Sequence, residues 1–349
     1  MLTALQLSNF RCFEALRIEF DPGFNFIVGA NGEGKTSLLE AACVLLRLQS
    51  QRSSSLAPLI RVGSKSFAVR GRIDTHDLEF RYGALRRTVK FDDVEQRSQE
   101  EYLRVARVVS FANTDIEMVR GSSEARRRYL DFIGAQILTT YRQTLRSYER
   151  ALRSRNALLK QPSPNRRAIS AYDQPLVEHG LKLSAVRREI VRKISPEAAE
   201  SHRKISYGSE ALCVEFIPGN ADDFAAHLAE SAADETRLRQ TIVGPHRDDV
   251  DLRVEEMPAA SFASEGQQRT VVLALKMAQA QLFAGEHETA PLLLIDDVFG
   301  ELDPQRRNAL VDAFPDDSQK LITATSLAWR EELPAGALFR LCDHCATRA

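Results

Sequence analysis

Eight consecutive residues, Gly29, Ala30, Asn31, Gly32, Glu33, Gly34, Lys35 and Thr36, fit the phosphate-loop pattern GxxxxGK[ST] in full. Each residue type answers a physical need. Glycines let backbone N–H groups close around phosphate oxygens, a lysine neutralises the β and γ charge, and a threonine hydroxyl ligates magnesium. The helix N-terminus that follows adds the positive end of its dipole, and Ser37 belongs to the same phosphate-facing set. Far along the chain, Leu292 to Ile295 are four aliphatics followed by Asp296 and Asp297. A buried parallel strand delivers the residue at its C-terminal end to the crevice where ligands bind. Asp296 is therefore expected in the magnesium shell, and Asp297 is expected to orient or deprotonate an attacking water. Read alone, the run is equally a plain strand end; paired with the loop it makes Lys35, Asp296 and Asp297 the catalytic candidates, with Thr36 and Asp296 as metal ligands.

A third element, SEGQQRT from Ser264 to Thr270, opens a helix. Its serine, its glycine and a free helix N-terminus form a second phosphate-seeking surface. Ser264 is also a natural N-cap, and that reading stays open. Because the loop at Lys35 already wraps the phosphates of one nucleotide, the second surface is free to serve the nucleotide of another copy.

The elements that must position these groups are legible in outline. Leu2, Ala4, Leu5 and Leu7, then Leu16, Ile18 and Phe20, alternate as strands do, and the turn DPG leads into the apolar FNFIV just before the loop. Beyond the loop, Leu38, Leu39, Ala42, Leu45 and Leu46 share one helix face. Further strands are expected between Phe67 and Phe91, at ALCVEF and at DVDLRV, a helix through RTVVLALKMAQAQLF, and a strand buried on both faces at LLLI. From Leu138 a heptad seam runs through Tyr141, Leu145, Tyr148, Leu152, Arg155 and Leu159, with the arginine as a polar interruption. After the turn QPSPN the spacing resumes through Ile169, Tyr172, Leu176, His179, Leu183, Val186 and Ile190. Two helices of about 22 to 24 residues, each ~35 Å long, are expected to form an antiparallel hairpin arm.

Composition bounds the class. With 44% hydrophobic and 27% charged residues the chain is an ordinary globular protein, neither disordered nor fibrous. The five cysteines are odd in number and scattered, which argues against a disulfide framework and for a reducing compartment, with the cytoplasm expected. Cys342 and Cys345 form a CxxC around His344, but one pair is half a zinc site and reads as incidental. No run approaches the ~20 apolar residues of a membrane helix, and the first residues, carrying Arg11 and Glu14, lack a signal-peptide layout, so no membrane role is expected.

In order along the chain stand LSNFR, GANGEGKTSLLEA, GSSEARRRYLDF, TIVGPHRDD, FASEGQQRT and LLLIDDVFGELD. Together they resemble the RecF family of bacterial recombination and gap-repair proteins, in the SMC-like branch of ATP-binding-cassette P-loop ATPases. The resemblance implies an α/β fold: an ABC-type ATPase head of mixed sheets flanked by helices, made by residues 1–112 and 241–349, with an α-helical lobe and its hairpin at 113–240. It implies ATP and Mg²⁺ as cofactors and an ATP-dependent homodimer that sandwiches two nucleotides. Ser264, Gly266 and Gln267 would contact the ATP of the partner subunit, Asp303 would lie at the dimer seam, Arg11 would touch the nucleotide, and Thr323 would sense the γ-phosphate. The implied partners are DNA, RecR and RecO, and indirectly RecA, in gap repair and the SOS response. The chain departs from the pattern at Gly300, where serine is common, and at Ser123 and Asn113, where prolines are common; no glutamine is evident for the loop joining the lobes. Those departures bear on turnover and lobe coupling rather than on nucleotide binding.

The net charge of −1 conceals an uneven distribution. Arg120 to Lys204 carries 19 Lys and Arg against 8 Asp and Glu, whereas Ile205 to Glu256 carries 4 against 12. Arg126, Arg127, Arg128, Arg142, Arg146, Arg150, Arg153, Arg187 and Arg188 are accordingly the candidates for phosphate-backbone contacts, with no base-reading motif among them. The plainer reading is a solvated helix surface. Two other functional readings stand beside a DNA-dependent ATPase. One is a structural DNA clamp in which ATP is dimer glue and hydrolysis only sets release. The other is the motor subunit of a membrane transporter, against which stand the basic, heptad-like segment and the long separation between Lys35 and Ser264.

Overall fold

A computed structural model describes the whole chain apart from residues 54, 85, 209, 287–289 and 327–333. It divides into two compact units, one of Met1–Asp115 with Lys276–Ala349, the other of Ile116–Leu275.

The first unit holds two six-stranded sheets. One is antiparallel, in the order Phe13–Glu19, Leu2–Phe10, Ser66–Ile73, His76–Gly83, Arg87–Phe91, Val94–Glu95. The other runs Cys345–Arg348, Ala337–Cys342, Phe24–Val28, Lys320–Ala324, Leu292–Asp296, Val108–Ala112, parallel except for the hairpin at its Cys345–Arg348 edge. Between the sheets lies the helix Lys35–Arg47, which packs on strands of both. Its sequence predicts one apolar face, yet every residue from Leu38 to Arg47 is buried. Two sheets cover a helix on opposite sides, so its charged residues must find partners inside. Arg47 donates to the carbonyls of Leu103 and Ala106, both at 2.9 Å. Glu40 accepts two hydrogen bonds from Arg11, at 2.9 and 3.1 Å, and one from the Ser50 hydroxyl at 2.5 Å.

The second unit is built on helices Ser123–Ile137, Tyr141–Leu159 and Asp173–Ile205, with a three-stranded antiparallel sheet in the order Met257–Pro258, Asp249–Val254, Leu212–Ile217. The expected hairpin is present, with unequal arms. The first helix has 19 residues, about 28 Å, and the second 33, about 50 Å. Leu138 lies outside the first helix and is exposed. The second continues past Ile190 through buried Ile194, Ala198 and Ile205, carrying Pro196 within it. Tyr141, Tyr148, Leu176 and Leu183 form the seam, closed by Phe224, Leu228 and Val243 from downstream. Residues 241–275, expected to belong to the head, pack with this second unit because Asp249–Val254 pairs along its whole length with Leu212–Ile217.

Arg155, the polar break in the seam, is buried and answered on three sides: Asp173 at 2.9 Å, Glu235 at 2.7 Å and the Thr241 hydroxyl at 2.8 Å. Among the described residues no helix is long and apolar enough to cross a membrane.

Candidate nucleotide site

The strand Phe24–Val28 ends directly before the glycine loop, and the helix Lys35–Arg47 begins at its lysine. Two features make the turn possible. Gly32 and Gly34 have φ of 92° and 97°, the left-handed region open to glycine. A Cβ on Gly29 would come within 2.6 Å of the Leu341 carbonyl, so the loop also needs glycine for close approach. Lys35 is buried, and its ammonium donates to the carbonyls of Gly29 and Ala30 at 2.7 and 2.9 Å. Ala30, Asn31 and Gly32 are exposed, while Glu33, Thr36 and Ser37 are half-buried.

The two aspartates arrive as the strand pattern predicts. In the parallel sheet Asp296 stands in register with Thr323 on one side and Ala112 on the other. One oxygen, Oδ1 of Asp296, accepts from the Thr36 hydroxyl at 2.9 Å and from the Thr323 hydroxyl at 2.8 Å. The Thr323 Oγ1 in turn accepts from the Asp297 N–H at 3.1 Å. Thr36, Asp296, Asp297 and Thr323, spread over nearly 290 positions, are thus linked by three hydrogen bonds. Asp297 itself takes φ 55°, a left-handed conformation that aspartate tolerates better than most residues. Burial pushes its carboxyl above the ordinary aspartate range; Lys35 opposes the shift and Asp296 adds to it.

This donor set fits a magnesium nucleotide. A hydroxyl and a carboxylate are the hard oxygen ligands that magnesium takes, and Thr36 and Asp296 bring one of each together at 2.9 Å. The loop supplies backbone N–H groups, a helix N-terminus and one ammonium for the phosphates.

Arg11, expected at the nucleotide, is bound bidentately to the buried Glu40 and also donates to the Pro58 carbonyl at 3.2 Å. Asp303 caps the helix Pro304–Asp312 by accepting from the Arg306 N–H at 2.8 Å. At Gly300 a Cβ would meet nothing closer than Asp297 Oδ1 at 3.7 Å, so the common serine would fit there. Asn113, another departure, donates to Glu301 at 2.6 Å.

Ser264, Gly266 and Gln267 fall in the second unit, described by itself. Ser264 and Gln267 form a reciprocal capping box: the Ser264 N–H donates to Gln267 Oε1 at 2.7 Å, and the Gln267 N–H to the Ser264 hydroxyl at 3.3 Å. Gln267 also donates to Glu210 at 2.9 Å. Capping leaves Ser264 exposed, so a fixed helix N-terminus is presented to the surface.

The arginine candidates separate into two groups. Arg187 is buried and cannot meet a phosphate backbone: it pairs with Asp131 at 2.8 Å and Asp248 at 3.0 Å and donates to the Pro245 carbonyl at 2.7 Å. Burial opposes its charge, but Asp131, Tyr141 and Asp248 outweigh that and hold its affinity for protons above the ordinary arginine value. Removing one partner from a buried pair of this kind costs about 3–5 kcal/mol, so Arg187 serves folding. Arg126 pairs with Asp249 at 2.6 Å, and Arg127 donates to the Ser123 hydroxyl and the Asp248 carbonyl at 2.7 and 2.8 Å. Beside this network His246 is held down to about 4 by burial, which keeps it neutral. It sits between the Tyr148 hydroxyl at 2.7 Å and the Thr241 carbonyl at 3.0 Å.

In contrast, Arg146, Arg150 and Arg153 are exposed at positions that share a face of the helix Tyr141–Leu159, and Arg142 is half-buried on it. Arg128 is exposed 3.8 Å from Glu124, and exposed Arg188 lies over the Phe216 ring at 5.8 Å.

The sheet order, the glycine loop and the paired aspartates define an SMC-like P-loop ATPase head. Residues 1–332 match the model of the RecF/RecN/SMC N terminal domain. Within that class the chain belongs to the RecF family. It is 38% identical over 343 residues to the DNA replication and repair protein RecF of Symbiobacterium thermophilum, covering 93% of this chain and 92% of the relative. Among solved structures, that of the recombination mediator protein RecF bound to ATP, in the RecFOR pathway, matches with a TM-score of 0.89 at 27% identity, over all of this chain and 97% of that one. An Smc head bound to the winged-helix domain of ScpA shares the fold, with a TM-score of 0.57 at 16% identity over 100% of this chain and 96% of that one.

Proposed function

We propose that the chain is an ATP-dependent DNA-binding ATPase of recombinational gap repair and replication restart. ATP is held by the loop Gly29–Thr36, with Mg²⁺ on Thr36 and Asp296, Asp297 aligning the attacking water, and Thr323 reading the γ-phosphate. Ser264, Gly266 and Gln267 of a second copy complete the site, with Asp303 near the seam, so that binding closes a dimer on DNA and slow hydrolysis reopens it. The observation that carries this reading is the meeting of Thr36 and Thr323 on a single oxygen of Asp296. It ties the metal ligand to the strand that reports the γ-phosphate.

DNA contacts fall to Arg128, Arg146, Arg150, Arg153 and Arg188, which are exposed and contact phosphates rather than bases. The partners that fit a member of this family are RecR and RecO, with loading of RecA on gapped DNA as the outcome and the SOS response downstream of it. The cytoplasm is the compartment consistent with that work.

The test is affinity for gapped duplex DNA against salt, with ATP, ADP and no nucleotide. Five phosphate contacts predict about a 500-fold loss between 50 and 200 mM salt, tight binding with ATP alone, and a shallower slope for Arg150→Ala with Arg153→Ala. A flat salt response, or the same affinity without nucleotide, would refute the reading.

A further inference from the structure

Cys342 and Cys345 are direct cross-strand partners in the hairpin that edges the parallel sheet. Asp343 and His344, which separate them, have φ of 49° and 58°, as the central residues of a type I′ hairpin turn require. Two-residue turns close on a hydrogen-bonded pair, whose Cα atoms lie about 5.5 Å apart, within the ~4.4–6.8 Å that a disulfide spans. Both thiols are free and exposed. Among the described residues no group of three or more His, Cys, Asp or Glu side chains is placed to hold a metal ion, so the pair is left with thiol chemistry.

The turn rests on the phosphate loop. The His344 N–H donates to the Glu33 carboxylate at 3.3 Å, and its ring Nδ1 lies 3.2 Å from the Glu33 carbonyl, placing the ring proton there. The His344 ring also meets Phe13 edge-on at 6.0 Å. One residue before the cysteine, the Leu341 carbonyl packs against Gly29 so closely that no Cβ would fit. Strain at the cysteine pair is therefore passed to the glycine loop at two points, its first residue Gly29 and its middle residue Glu33.

We propose that Cys342 and Cys345 form a reversible disulfide site, oxidised by small disulfides such as oxidised glutathione, that loosens the hold of the phosphate loop on its nucleotide. The idea rests on reading that loop as the ATP site. A thiolate of the pair attacks the glutathione disulfide, forming a mixed disulfide and releasing one glutathione thiolate. The second cysteine thiolate then attacks the protein sulfur, forms the Cys342–Cys345 bond and releases the other. Two electrons pass to the oxidant, and two cysteine protons leave with the two glutathione thiols. The bond needs Cβ atoms about 3.8 Å apart, closer than a hydrogen-bonded pair leaves them. The turn must tighten, drawing His344 off Glu33 and leaving that carboxylate uncompensated beside the phosphates. Strain of this kind makes a disulfide easy to reduce, which suits a reversible site. Asp343 beside Cys342 pushes its thiol above the ordinary cysteine range, so oxidation should quicken as pH rises.

The full chain is incubated with oxidised glutathione, mapped by mass spectrometry, and titrated with ATP before and after treatment. The expected product has lost about 2 Da at a Cys342–Cys345 peptide and binds ATP about three- to tenfold more weakly, the weight of one hydrogen bond. Dithiothreitol should restore it, and Cys342→Ser with Cys345→Ser should be insensitive while retaining Cys12, Cys43 and Cys213. Failure of the bond to form, unchanged ATP affinity in the oxidised chain, or equal sensitivity of the double variant overturns the proposal. Absence of ATP binding by the reduced chain is a different result: it removes the nucleotide site itself, and this proposal with it.

Discussion

Lys35→Ala is expected to weaken ATP binding by about 30-fold or more while leaving the chain folded. The lysine is 7% exposed and is the one cation of the glycine loop. Truncating one member of a desolvated, hydrogen-bonded charge pair costs ~2–5 kcal/mol, and ~2 kcal/mol is already about 30-fold in affinity. The fold has little to lose. The ammonium donates to the carbonyls of Gly29 and Ala30, and water can serve the exposed Ala30 instead; alanine also has a high intrinsic helix propensity. Calorimetric titration beside a thermal melt checks both halves. An unchanged nucleotide affinity in a folded variant would contradict the assignment of the loop.

Asp297→Asn is expected to lower ATP turnover about 10²-fold or more, the usual weight of a positioned general base, with ATP affinity kept. The substitution is nearly isosteric, and asparagine accepts the same left-handed backbone, so the Asp297 N–H to Thr323 bond should persist. Phosphate release under single-turnover conditions measures the loss; a rate within threefold of wild type would remove Asp297 from the chemistry. The same variant separates the two DNA readings. If gap repair continues with hydrolysis blocked, nucleotide works as dimer glue and hydrolysis only sets release; if repair is lost, turnover is part of the function.

What was legible in the sequence was local. Strand, glycine loop and helix are adjacent in the chain, so their pattern alone announces them, and the strand before Asp296 is recognisable by its four aliphatics. Partners far apart were not. Nothing in the early strand hints that Arg11 is spoken for by Glu40, because that depends on a helix buried between two sheets. Charge counting marks where arginines accumulate but is blind to burial, so Arg187 looked like Arg188 until Asp131 and Asp248 closed around it. The seam spacing carries the second helix only to Ile190, yet the helix continues through Pro196 because apolar residues recur at helical spacing on either side of it and are buried. The boundary near 240 moved to 275 because a strand pairing across some 40 residues has no local signature. Cys342 and Cys345 read as incidental because the loop they rest on lies over 300 residues away.

In the proposed dimer one triphosphate is gripped by two copies of the chain. Sedimentation velocity with a non-hydrolysable ATP analogue and Mg²⁺, run on wild type and on Ser264→Arg, tests it most directly. Dimers of wild type with the analogue, monomers without it, and monomers of a variant that still binds the analogue are predicted, since the bulk of an arginine side chain at this exposed helix start, with the loss of the Ser264 cap, keeps the helix N-terminus from closing on the partner's nucleotide. A wild type that remains monomeric with bound nucleotide, or a Ser264→Arg variant that dimerises normally, would contradict it.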